Sequence, residues 1–133
     1  MPINDIRNDI AVFYGTSEAI TTDTTTTVGD FDLQEYGTGF AVALGASAYT
    51  DGTYTLAFLD SDDDVTYTAV AAADLVGSYV AVSAATTQLA QMSATGYVGA
   101  KRYLRVTIVS TSTSSGATVF CAAIGNKEVK PVL

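Results

Sequence analysis

The stretch GYVGAKRYLRVTI, residues 96–108, decides how this chain is read. From Lys101 onward, period-two alternation sends Leu104, Val106 and Ile108 to one face and Lys101, Tyr103 and Arg105 to the other. The result is a core strand with a basic outer face. Lys101, Arg102 and Arg105 are half of the six Lys and Arg residues in the chain. The glycines ahead of them read as turn residues before the strand.

The segments on either side carry the same period. Residues 110–116 (STSTSSG) read as a polar hairpin loop. Residues 118–125 follow as a strand apolar on both faces, with Phe120, Ala122 and Ile124 against Val119, Cys121 and Ala123. Such a strand is buried on both sides, centrally or beneath a partner. Upstream, Phe40, Val42 and Leu44 make a core face while Ala41 and Ala43 make a flat apolar back. Asp51-Gly52 is a hairpin-type turn signal, and residues 54–60 and 65–70 alternate around an acidic loop as the clearest hairpin. Residues 71–77 fit one helical turn stopped by Gly77, and residues 78–83 fit another strand. Residues 86–92 (TTQLAQM) fit a short strand or a helical turn packing Leu89 and Met92. The Thr-rich run 19–28 reads as an edge strand, with a turn at Gly29-Asp30 and a loop or irregular strand over 31–39.

About eight short strands without a useful amphipathic helix predict an all-β, antiparallel β-sandwich of jelly-roll-like form. Periodicity alone leaves immunoglobulin-like strand order open. A chain of 133 residues suits one domain. Residues 1–12 read as an N-terminal arm or lead-in and residues 13–133 as a single sandwich.

Charge sets further bounds. Only 15% of residues are charged, against about 25% in an average globular domain. Either a partner covers part of the surface, or the abundant Thr and Ser solvate it. The net charge of −8 is also unevenly placed: residues 1–100 carry −12 and residues 101–133 carry +4. An acidic balance argues against nucleic acid or an anionic membrane as partner. An acidic body with a basic end suits head-to-tail or edge contacts between copies. Lys101, Arg102, Tyr103 and Arg105, with Arg7 near the start, are the candidate protein–protein interface, since Tyr and Arg together favour hot spots. The competing reading is a solvated strand face.

Catalytic chemistry finds little footing. The chain has no His, so neither Ser nor the single Cys121 can pair with one. Cys121 sits in an apolar run, as a small buried hydrophobe does, and one cysteine cannot form an intrachain disulfide. Asp60, Asp62 and Asp64 alternate like the first ligands of an EF-hand. The loop then has Val65 where Gly is needed and Ala71 where Glu is needed, so a solvated hairpin tip is the preferred reading. No metal, cofactor or catalytic residue is expected. Residues 1–10 lack the apolar core of a secretory signal, and the most apolar window, 68–85, is broken by Asp74 and Gly77 and is no membrane span.

Two segments resemble a known family. TLAFLDSDDDVTYTAVAAADLVG looks like the hairpin and the Asp-Leu-hydrophobic-Gly turn of small tailed-bacteriophage structural proteins. GYVGAKRYLRVTI, followed by a Ser/Thr/Gly loop and FCAAIGNKEVKP, is similar to the strands that close those proteins. The family is that of the head decoration or cement proteins, and the resemblance covers residues 50–77 and 96–131. It implies a non-enzymatic, cofactor-free homo-oligomer, made in the host cytoplasm, which binds the major capsid protein and cements the capsid exterior. A carbohydrate-binding β-sandwich module of a head fibre or adhesin, using Tyr, is the alternative.

Overall fold

The computed structural model describes residues 10–13, 17–33, 40–85 and 93–126. These form eleven strands: β1 (Ile10–Phe13), β2 (Ser17–Ile20), β3 (Thr25–Asp32), β4 (Phe40–Ser47), β5 (Thr53–Ser61), β6 (Thr68–Ala69), β7 (Leu75–Val76), β8 (Ala81–Val82), β9 (Ser93–Tyr97), β10 (Tyr103–Thr111) and β11 (Ala117–Asn126). The excess over about eight comes from β7 and β9, where no strand was expected, and from the run 19–28, which divides between β2 and β3. Among the described residues the one helical element is the 3-10 turn Ala72–Asp74, inside the segment expected to make a helical turn.

The pairing is nested. β2 pairs β11, β3 pairs β10, β4 pairs β9 and β5 pairs β8, all antiparallel. The chain is thus a long double ribbon folded near residues 62–80. Rolling that ribbon brings β11 against β4 and β10 against β5. The two sheets read β2–β11–β4–β9 and β3–β10–β5–β8, which is jelly-roll order. β1 extends the first sheet beside β11, β7 extends it beside β9, and β6 pairs with the far end of β5.

The core lies between the sheets. Phe40, Val42 and Leu44 from β4 meet Tyr54, Leu56 and Phe58 from β5 and Leu104, Val106 and Ile108 from β10, all buried. Alternation in these strands appears as expected, because each sheet buries one face only.

Several expectations are corrected by the crossings between sheets. Asp51-Gly52 and residues 112–116 are arches from one sheet to the other, not hairpin loops. Gly52 supplies a φ of +98°, which serves an arch as well as a hairpin. The run 19–28 is two strands in different sheets, parted at residues 21–24, where Ser110 Oγ donates to the Thr22 carbonyl (2.7 Å) and accepts the Thr24 N–H (2.9 Å). Its second piece, β3, is an edge strand, as the Thr content suggests. Gly29-Asp30 is no turn. It lies within β3 at a bulge, where Val106 pairs Gly29 and Thr107 pairs Thr27, leaving Val28 as the extra residue. Of residues 65–70 only Thr68–Ala69 is strand, because the loop carboxylates hold the preceding backbone in turns, and Val65 is 80% exposed. Of residues 78–83 only Ala81–Val82 is strand. Residues 86–92, and most of residues 1–12, lie outside the described residues.

Candidate protein-binding surfaces

Each sheet has an outer face, and the two differ in chemistry. The face of β3, β10 and β5 holds the basic residues picked out by the sequence. Tyr103 and Arg105 project from β10, with Lys101 and Arg102 just ahead of it. β3 runs alongside in register, setting Asp30 opposite Arg105 and Asp32 opposite Tyr103. Arg105 donates two hydrogen bonds to Asp30 (2.7 and 2.9 Å), and Arg102 donates two to Asp32 (3.0 and 2.8 Å). Lys101 Nζ reaches Asp62 at 2.9 Å.

These pairs perturb their members in the expected direction. The Arg105 hydrogen bonds hold the Asp30 carboxyl below the usual carboxylate range, and the three cations are pushed upward by the carboxylates they bind. The rings beside them are occupied too. The Arg105 guanidinium lies 3.9 Å from the Tyr67 ring centroid, and that of Arg102 lies 4.9 Å from the Tyr103 centroid. Tyr67 donates to Asp64, and burial followed by that bond pushes its hydroxyl up to about 12. The candidate residues Lys101, Arg102, Tyr103 and Arg105 therefore stand together, but each is engaged within the chain. Arg7 lies outside the described residues.

The acidic loop is also internally bound, and its carboxylates diverge. Asp60 is 4% exposed and accepts the Tyr97 hydroxyl at 3.0 Å. Asp62 turns to Lys101. Asp63 accepts the backbone N–H of Val65 and Thr66 and the Ser61 hydroxyl, which hold it at about 2. Among the described residues no group of three or more acids or thiols is placed to share a metal ion.

The outer face of the other sheet is of a different kind. Its outward positions on β4 are Ala41, Ala43 and Gly45; on β9, Ala94 and Gly96; on β11, Thr118, Phe120, Ala122 and Ile124; on β7, Val76. β11 is therefore central in its sheet yet buried on one side only. Of its outer side chains Thr118, Phe120 and Ala122 are half-buried and Ile124 is 45% exposed, and Val76 at 56% stands across the sheet. Val98, just past β9, is 47% exposed. No charged side chain occupies these positions. Sequence had the signal, since β4 and β11 are apolar on both faces. What it could not supply was which of the two faces the fold leaves bare.

No protein-family model, no curated protein and no solved structure matches this chain.

Proposed function

We propose that this chain is a non-enzymatic virion structural protein that decorates and cements the outside of a phage capsid by bridging its subunits. The observation that carries the reading is the uncharged outer face of the β11–β4–β9 sheet. A protein of net charge −8 leaves Ile124, Val76 and Val98 exposed on or beside an uncharged face, as assembly subunits do. The particular assembly comes from the resemblance of residues 50–77 and 96–131 to head decoration proteins. Covering an apolar face of this kind stabilises an assembly by about 25 cal/mol per Å² of apolar area, less the cost of ordering the partners.

A sugar-binding role draws no comparable support from the described tyrosines. Tyr54 and Tyr97 are core, Tyr49 and Tyr79 pack edge-on against Tyr54 and Phe58, and Tyr67 and Tyr103 have arginines over them. Capsids stripped of this protein are expected to rebind it and carry it down on sedimentation. Failure to co-sediment at any ionic strength would sink the proposal.

A further inference from the structure

We infer that the uncharged outer face of β11, β4 and β9 is covered by a second copy of this chain, the two sheets stacking face to face about a two-fold axis. The inference rests on reading that face as an assembly surface and names what covers it.

Relief is the first reason for choosing a second copy. Register aligns Ile124, Ala41, Gly96 and Val76 in one row and Ala122, Ala43 and Ala94 in the next, with Phe120 beside Gly45 in a third. Large side chains therefore stand on β11 and β7, and a trough of Ala and Gly lies between them on β4 and β9. A two-fold axis along the strands, between β11 and β4, sets the Phe120–Ile124 ridge of each copy into the trough of the other. Packed sheets need that alternation of large on small. Ridge and trough on one face are also what an isologous contact requires, because the same patch must complement itself.

Charge points the same way. Copies of a −8 chain repel, so a contact of one face with its own copy costs least where that face brings no charge. The described outward positions of this sheet satisfy that condition. The opposite sheet does not, carrying Asp30, Asp32 and Arg105 on its surface. A strongly charged partner of either sign would call for countercharges, and this face has none to offer.

Area is adequate. The overlap about that axis is four strand positions wide and its longest strand has ten residues. At about 4.8 Å per strand and 3.3 Å per residue, with shorter strands at the flanks, its face is on the order of 500 Å². Two stacked faces remove on the order of 1,000 Å², at the threshold for a specific association.

Sedimentation equilibrium on the full chain tests this, beside circular dichroism to confirm folding. The wild type is expected to dimerise. Ala43→Glu, at the trough, is expected to weaken the dimer by about 100-fold or more, since it sets like charges together where water is excluded. Ala94→Glu, at an exposed position on β9, should do the same and keeps the test valid if Ala43→Glu misfolds. Mixing Ala43→Glu with Ala43→Lys should restore a dimer. A wild type that is monomeric yet co-sediments with stripped capsids overturns this inference and leaves the proposed function standing. A dimer that ignores both Glu variants, or one that the Glu–Lys mixture fails to restore, overturns it as well. A dimer with all the expected sensitivities that never binds capsids upholds the inference and removes the proposed function.

Discussion

Tyr97 and Asp60 lie 37 positions apart and come from different sheets, yet they share a buried hydrogen bond of 3.0 Å. Burial, and then the adjacent Asp60 carboxylate, raise the Tyr97 hydroxyl well above its usual pKa, so it remains a donor throughout the ordinary range. Tyr97→Phe removes that donor from a carboxylate that is almost fully buried. The expected loss is about 1–3 kcal/mol in urea unfolding, and adding Asp60→Asn should shrink it, because the neutral amide tolerates burial better. Gly116 acts at the opposite end of the sandwich. Its φ is +86°, and a Cβ there would run into the Ile20 carbonyl oxygen. Gly116→Ala is therefore expected to cost more than about 2 kcal/mol by the same measurement. Asp51 ties the two arches together by accepting the backbone N–H of Ser114, Ser115 and Gly116, led by Gly116 at 2.8 Å. Those bonds lower its pKa from the ordinary 3.8. With the folded value below the unfolded one, the stabilisation is complete above the unfolded pKa and disappears as pH falls through the folded one. The melting-temperature gap between wild type and Asp51→Ala should hold steady well above the ordinary 3.8 and close as pH falls below it. None of these three roles was legible in sequence. Asp60 looks like any other loop acid, and its burial depends on where the ribbon rolls.

Strands were more legible than their connections. Alternation in β4, β5 and β10 picked out the buried residues because one-sided burial writes a period of two into the sequence. Leu104→Ala, fully buried on β10, is expected to cost about 2–5 kcal/mol. Val109→Ala, half-buried on the outward side of the same strand, should stay below about 1.5 kcal/mol. Comparable losses at both positions would mean that β10 does not present its faces as described. Turn chemistry is less informative, since Gly and Asp serve a hairpin, an arch or a bulge through the same positive φ or side-chain capping. Gly29-Asp30 does neither, since Gly29 has no positive φ and Asp30 binds Arg105. The bulge at Val28 kinks the edge strand β3, a feature that discourages edge-to-edge pairing and was read from sequence as a turn.

At the scale of the whole molecule, the nested pairing disposes of the charge asymmetry within one chain. β3 and the acidic loop belong to the acidic first part, β10 opens the basic last part, and their pairing joins Asp30, Asp32 and Asp62 to Arg105, Arg102 and Lys101. The basic stretch that suggested head-to-tail contacts between copies is thus already matched at home, while among the described residues the uncharged sheet keeps Ile124 and Val76 exposed. Ionic strength separates the two modes of association. Between about 0.1 M and 1 M salt the screening length falls from about 10 Å to about 3 Å. Stacking through an uncharged face joins two bodies of −8, so salt removes their mutual repulsion and strengthens apolar contact. The dimer dissociation constant is therefore expected to fall across that range. Pairing of an acidic body with a basic end loses its attraction under the same change, and its dissociation constant would rise. A rise measured by sedimentation equilibrium would return the interface to Lys101, Arg102 and Arg105, which would then have to leave their present carboxylates to make it.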